Sequence, residues 1–151
     1  MEKKHITWEE VFLSCKSIAE QSLIHNIDCI VAVSRGGLIP ARIVSELTGV
    51  SHIFSIGLSS YIKDIKTDNI NLYQNPIEDL IKGQFKTALI IDEICDTGDT
   101  FKYLSKFLID NKSVSAVFSS LYLRENSTFY PSIYHKKITS KDWLVFPWEQ
   151  E

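Results

Sequence analysis

The chain has 151 residues, of which 44% are hydrophobic and 23% charged, and this length suits one domain spanning residues 1–151. Its formal net charge of -3 argues against broad nucleic-acid binding, which needs a basic surface. The sequence contains no apolar run long enough to span a membrane and no secretory signal, so we expect a cytoplasmic protein with no integral membrane segment.

The cysteines and histidines do not form a metal-binding or disulfide pattern. Cys15, Cys29 and Cys95 are odd in number and lack C-x-x-C spacing, which favours buried free thiols. The histidines also lack the spacing of a metal-binding motif. We therefore expect no transition metal.

The first third of the chain predicts a helix, a strand and a second helix. A capping box that starts at Thr7 and the helical spacing of apolar residues predict a helix to about His25. Residues 28–33, which begin with Asp28, contain a short apolar run bounded by polar residues, which is typical of a strand buried on both faces. Residues 38–47 are periodic and end before Gly49, a typical helix C-cap.

Strands and helices also alternate in the rest of the chain. Residues 52–58, 87–92 and 113–123 predict strands, and residues 99–111 predict a helix. Residues 62–84 are polar without a sustained period, so we expect a mobile lid loop there. The alternation predicts an α/β fold with a mainly parallel central sheet, helices on both faces and ligands at the carboxyl ends of the strands.

The segment after residues 87–92 combines acidic side chains with a candidate phosphate cradle. Its polar residues are Asp92, Glu93, Asp96, Thr97, Gly98, Asp99 and Thr100. Amides around a glycine at a helix N-terminus, flanked by hydroxyls, bind phosphate. The acids would repel phosphate unless they bind the sugar hydroxyls or a magnesium ion of the same ligand. This predicts a phosphorylated sugar. The alternative is that Asp96 and Asp99 only cap the helix and that Asp92 and Glu93 are a solvated strand end.

Four segments resemble type I phosphoribosyltransferases. Residues 89–100, LIIDEICDTGDT, resemble the family's phosphoribosyl pyrophosphate signature. Residues 30–40, IVAVSRGGLIP, look like the pyrophosphate loop of its bacterial xanthine-guanine members. Residues 59–61 resemble the start of their flexible catalytic loop, and residues 143–149, WLVFPWE, resemble their purine-site segment. The segments occur in family order and lie across most of the chain.

The resemblance implies a role for each candidate site residue. The 5'-phosphate would contact Asp96, Thr97, Gly98, Asp99 and Thr100; the pyrophosphate would contact Ser34, Arg35, Gly36 and Gly37; the purine would contact Arg124, Trp143 and Leu144. Asp92 and Glu93 would serve the ribose hydroxyls and bind Mg²⁺. Asp96 would handle the proton of the purine N7, and Arg35 would stabilise the leaving pyrophosphate. Ser60 and Tyr61 would lie on a lid that excludes water.

The implied function is purine salvage. The protein would transfer a ribose 5-phosphate group from phosphoribosyl pyrophosphate to a 6-oxopurine, with residues 124–151 forming a small hood that recognises the base. Arg124 stands where the family has a lysine, and Asp99 places a negative charge in the phosphate loop. Two alternatives stay open, a nucleotide-sensing regulator on the same fold and a phosphoribosyltransferase for another base. The resemblance also implies a homo-oligomer, either a dimer or a tetramer.

Overall fold

A central sheet of six strands organises the chain. The computed structural model describes residues 2–62, 65–111 and 114–150, without the side chains at positions 60–69. In chain order the elements are β1 (Glu2–His5), α1 (Trp8–Ser22), β2 (Cys29–Ser34), α2 (Leu38–Thr48), β3 (Ile53–Ile62), β4 (Ile65–Gln74), α3 (Ile77–Lys82), β5 (Thr87–Cys95), α4 (Asp99–Asn111), β6 (Ser115–Arg124), β7 (Ile133–Ile138) and β8 (Asp142–Val145).

The central sheet is mainly parallel, as predicted. Its strand order is β4-β3-β2-β5-β6-β7, and only β4 runs antiparallel to its neighbour. A separate two-stranded sheet pairs β1 with β8 in parallel, which brings the start of the chain to its C-terminal segment.

Helices cover both faces of the central sheet because its inner strands are apolar on both sides. On β2, Ile30 and Ala32 join one buried cluster, whereas Val31 and Val33 join the other. Residues of α1 and α2 pack in the first cluster and residues of α3 and α4 in the second. The predicted α/β architecture is confirmed.

The local signals at the ends of the first two helices are also confirmed. The Thr7 hydroxyl accepts from the Glu10 amide and the Glu10 carboxylate accepts from the Thr7 amide, which completes the capping box of α1. Gly49 ends α2 at φ 79°, a left-handed conformation that glycine adopts without steric cost.

The prediction of an irregular loop over residues 62–84 is wrong. Residues of this segment form β4, which pairs with β3 in a hairpin, and α3, which buries Ile77 and Leu80. The sequence does not predict this strand because β4 lies at the edge of the sheet. An edge strand is held by backbone pairing and needs few apolar side chains, so it lacks the usual apolar pattern. Ser60 and Tyr61, predicted on the lid, have side chains outside the described residues.

Two other boundaries differ from the sequence expectation. β5 continues to Cys95 because Ile94 and Cys95 pair with the end of β6, so Asp92 and Glu93 lie within the strand. The hood is built differently as well, since β7 joins the central sheet and β1 supplies the partner of β8. The hood therefore consists of β1, β8 and the residues that follow β8.

The cysteines are free and buried, as predicted. Burial raises the pKa of the Cys15 and Cys29 thiols to about 12, which keeps both protonated at neutral pH. Among the described residues, no helix is both long and apolar enough to cross a bilayer.

Candidate active site

The candidate site lies where three adjacent parallel strands end. β2 ends at Ser34, β5 at Cys95 and β6 at Arg124, and these strands are neighbours in the order β2-β5-β6. The carboxyl ends of parallel strands meet at one edge of a sheet, which is where ligands of this fold class bind. The topology thus brings together residues that lie far apart in the sequence.

The turn after β2 packs against the acid pair of β5. A Cβ atom on Gly36 would overlap the Glu93 carboxylate, and one on Gly37 would overlap the Ile91 carbonyl oxygen. The turn is closed by the Gly37 amide, which donates to the Val33 carbonyl at 2.8 Å. Both glycines are therefore needed for close approach between the two strand ends.

The carboxyl groups of Asp92 and Glu93 are adjacent on β5 and interact with each other. Oε2 of Glu93 is buried and has no hydrogen-bond partner among the described residues. Burial and the adjacent Glu93 carboxylate raise the pKa of Asp92 well above its ordinary value, while the Glu93 amide donates to Oδ1 of Asp92 at 2.8 Å. An unpaired buried carboxylate oxygen beside a second carboxyl group fits Mg²⁺, which is bound by one or two protein carboxylates plus ligand and water oxygens.

The segment between β5 and α4 forms a cradle of backbone amides. The amides of Thr97, Gly98 and Thr100 have no hydrogen-bond partner within the described ranges, whereas the Asp99 amide donates to the Thr97 hydroxyl at 3.2 Å. A cavity of about 70 Å³ lies against this segment and against Asp92. Free amides at the start of a helix favour an anion.

Gly98 holds the cradle in a conformation that other residues rarely adopt. Its φ is 95°, and a Cβ atom there would lie 2.7 Å from the Phe129 amide nitrogen. Asp99 is exposed, so its charge is screened by solvent. The Asp99 carboxylate therefore opposes a bound anion only weakly.

A cleft of about 1060 Å³ connects the turn after β2 with the hood. Its lining includes Arg35, Gly36 and Glu93 on one side and Trp143 on the other. Trp143 is 54% exposed, and its indole packs against no other aromatic ring in the described part of the chain. An exposed indole facing a cleft provides a platform for a planar ligand.

Lys3 lines the same cleft and was missed in the sequence. It lies opposite Trp143 in the register of β1 and β8. This position depends on pairing between the two ends of the chain, and no local pattern around a lysine signals such pairing. Trp148 also lines this cleft, but its ring stacks on Phe146 at 4.9 Å between ring centroids, which is a packing contact.

Arg124 is fixed by three hydrogen bonds. Its Nε donates to Oδ1 of Asp96 at 2.5 Å, and its Nη1 donates to the carbonyl oxygens of Thr139 and Asp142, both at 2.9 Å. Its side chain is only 12% exposed. A guanidinium has five N–H donors, and the two hydrogens of Nη2 have no partner among the described residues.

The open edge of β8 lies on the same side as Arg124. The carbonyls of Lys141 and Val145 accept from β1, whereas the Asp142 carbonyl faces Arg124. Backbone groups of alternate residues in a strand point to opposite edges, so the amide and carbonyl of Leu144 lie on the edge with Asp142. Leu144 thus presents one backbone donor and one acceptor on the edge of β8 that is not paired with β1.

Comparison with known proteins identifies a family that covers almost the whole chain. The sequence profile of the phosphoribosyl transferase domain matches residues 7–151. A xanthine-guanine phosphoribosyltransferase of Idiomarina loihiensis is 27% identical over 145 residues, which is 95% of this chain and 85% of that protein.

Solved structures agree with the fold. A purine phosphoribosyltransferase from Pyrococcus horikoshii has a TM-score of 0.85 at 26% identity, covering 100% of this chain and 97% of its own. A Helicobacter pylori xanthine-guanine-hypoxanthine phosphoribosyltransferase has a TM-score of 0.84 at 22% identity, covering 98% of this chain and 94% of its own.

Proposed function

Since the chain belongs to the phosphoribosyl transferase domain family and is therefore a pentosyltransferase, we propose that it forms a purine nucleoside monophosphate from a 6-oxopurine and phosphoribosyl pyrophosphate. The observation that carries this proposal is the cleft between the hood and the central sheet. In one space it combines an aromatic platform at Trp143, a cation at Arg35 and a carboxylate at Glu93. These groups match a planar base, a pyrophosphate and a metal-bound sugar.

The arrangement around Arg124 supports a 6-oxopurine as the base. The Nη2 hydrogens of Arg124 can donate to an exocyclic oxygen, and the Leu144 backbone can pair with the edge of a ring stacked on Trp143. An exocyclic amino group, as in adenine, would instead place donors against the guanidinium. Xanthine, guanine and hypoxanthine all satisfy this requirement.

Asp92 and Glu93 would hold Mg²⁺ together with the ribose hydroxyls, as the unpaired Oε2 of Glu93 suggests. When bound, the metal would supply positive charge to the pyrophosphate oxygens. Arg35 supplies further positive charge at the mouth of the turn. The amides of Thr97, Gly98 and Thr100 would hold the 5'-phosphate.

In the reaction the bond between C1' and the pyrophosphate oxygen breaks, and its electron pair leaves with pyrophosphate. A bond forms between C1' and N9 of the purine, and the base loses a proton. Asp96 is the nearest described carboxylate to the Arg124 guanidinium and would accept that proton at N7.

Ser60 and Tyr61 would lie on a segment of the β3–β4 hairpin that closes over the sugar and excludes water. We also propose a cytoplasmic homo-oligomer, a dimer or a tetramer, as the resemblance implies.

A nucleotide-sensing protein is the second candidate. The observation that favours it is the ion pair itself, since Arg124 already occupies one oxygen of Asp96. A sensor would bind a nucleotide without needing Asp96 as a base.

One assay separates these functions. The protein is mixed with Mg²⁺, phosphoribosyl pyrophosphate and each base in turn, and nucleotide formation is followed by chromatography. The proposal predicts product with one or more of xanthine, guanine and hypoxanthine and none with orotate or adenine. Product with adenine or orotate alone would reassign the base, and nucleotide binding without product would favour the sensor.

A further inference from the structure

The turn that follows β6, residues 125–129, is hydrogen-bonded to the amide cradle between β5 and α4. The Thr97 carbonyl oxygen accepts two hydrogen bonds from one residue, the Thr128 amide at 3.0 Å and the Thr128 hydroxyl at 2.9 Å. Thr128 lies outside the cradle segment between β5 and α4, and it is exposed.

The double contact sets the direction of one peptide group. In a trans peptide the carbonyl and the following amide point in opposite directions. Because the Thr97 carbonyl is held toward Thr128, the Gly98 amide points away from Thr128. That amide has no partner among the described residues, so it is available to an anion.

The turn at residues 125–129 makes several contacts with the rest of the structure. The Ser127 hydroxyl donates to the Phe129 carbonyl at 2.8 Å and contacts the Cys95 sulfur at 3.4 Å. The Phe129 ring packs edge-on against Phe101 of α4 and Phe118 of β6, with centroid distances of 5.6 and 5.2 Å. The turn is therefore a fixed support, and Thr128 transmits its position to the cradle.

We propose that Thr128 is a positioning residue that aims the Gly98 amide at the 5'-phosphate of the substrate. The inference rests on the proposed function for the identity of the anion, but the geometry requires only a ligand with a phosphate group. Thr128 acts through the Thr97–Gly98 peptide and makes no contact with the substrate in this scheme.

The test compares Thr128→Val, which removes the hydroxyl and keeps the shape, with Thr128→Ser, which keeps the hydroxyl. Thr48→Val is the matched control, because the Thr48 hydroxyl donates to the Val44 carbonyl at 2.8 Å near the end of α2. Calorimetry measures the Kd of ribose 5-phosphate, and steady-state kinetics measures the KM of each substrate. Thermal unfolding shows whether each variant is folded.

We expect Thr128→Val to weaken ribose 5-phosphate binding about three- to ten-fold, the range that one hydrogen bond gives, and to raise the KM for phosphoribosyl pyrophosphate similarly. The KM for the base changes less than about two-fold, and Thr128→Ser and Thr48→Val behave as the wild type. Unchanged ribose 5-phosphate binding in Thr128→Val, or equal losses for both substrates without rescue by serine, would overturn the proposal.

The binding arm separates this inference from the proposed function. If the wild type binds ribose 5-phosphate and Thr128→Val weakens it, the inference is supported even if no base gives product. If the wild type does not bind ribose 5-phosphate, the cradle does not hold a sugar phosphate and the inference fails.

Discussion

The Nε atom of Arg124 donates to the Asp96 carboxylate at 2.5 Å, which joins the end of β6 to the start of the amide cradle. The same guanidinium holds the carbonyls of Thr139 and Asp142, and so ties the hood to the central sheet. A lysine has no planar fork and could not make these contacts together. Arg124 is therefore a structural link, and we expect its Nη2 to donate to the ligand.

Replacing Arg124 with methionine tests this double role. The variant removes the donor to the base oxygen and the link to the hood, and we expect kcat/KM for the 6-oxopurine to fall about 10- to 100-fold, as for a hydrogen bond to a charged group. The KM for phosphoribosyl pyrophosphate changes little. Steady-state kinetics with each substrate varied in turn gives the answer, and equal losses for both substrates would contradict the base-side role.

Asp96→Asn separates proton acceptance from geometry. Asparagine keeps an oxygen that accepts from Arg124, so the guanidinium stays in place, but the amide cannot take a proton from the purine. We expect kcat to fall about 10²- to 10⁴-fold, the usual contribution of a general base. Ribose 5-phosphate binding, measured by calorimetry, stays within about two-fold of the wild type. Normal turnover in this variant would remove Asp96 from the mechanism.

Gly36→Ala probes the contact between the turn after β2 and the acid pair. The added methyl group overlaps the Glu93 carboxylate and must displace it. We expect the Mg²⁺ concentration for half-maximal activity and the KM for phosphoribosyl pyrophosphate to rise together by about ten-fold or more, the effect of roughly one misplaced charged contact. A magnesium titration of initial rates measures this. If the Mg²⁺ requirement were unaltered, Glu93 would not be a metal ligand.

Trp143 is expected to stack on the base. Trp143→Ala removes the platform, and we expect the KM for the 6-oxopurine to rise about 5- to 100-fold, in line with base-aromatic stacking. Trp143→Phe keeps an aromatic face and recovers most of the affinity. Trp148→Phe serves as the control, since Trp148 packs on Phe146 and its replacement acts on thermal stability instead. If the KM for the base rose in the Trp148 variant alone, the stacking platform would be Trp148 and not Trp143.

Acid stability of the hood depends on Asp142. The hydrogen bond and ion pair with Lys4, at 3.1 Å, lower the Asp142 pKa from its ordinary 3.8. Because the folded pKa is the lower one, the stabilisation is complete above about pH 4 and is lost as the pH falls through the folded pKa. We expect the free energy of unfolding, measured with urea, to fall more steeply below pH 4 in the wild type than in Asp142→Asn. Parallel pH profiles for the two proteins would exclude this role.

The sequence predicted the local structural features that depend on residues close together in the chain. The capping box at Thr7, the glycine end of α2 and the amide cradle around Gly98 all follow from residues a few positions apart. The buried strands were also predictable, because strands covered on both faces are continuously apolar.

Features that depend on distant pairing could not be predicted in this way. β1 is exposed along its whole length, so only its pairing with β8 places Lys3 beside Trp143. The ion pair of Arg124 with Asp96 joins residues 28 positions apart, and the Thr128 contact with Thr97 joins residues 31 apart. Such contacts arise from the order of strands in the sheet, which no local spacing specifies.

Pyrophosphate release tests the central claim most directly. The wild-type protein is incubated with Mg²⁺ and phosphoribosyl pyrophosphate, with and without a 6-oxopurine, and pyrophosphate and nucleoside monophosphate are both quantified. The account predicts equal amounts of the two products in the presence of the base and neither product in its absence. Pyrophosphate released without nucleotide, or no product with xanthine, guanine or hypoxanthine, would contradict it.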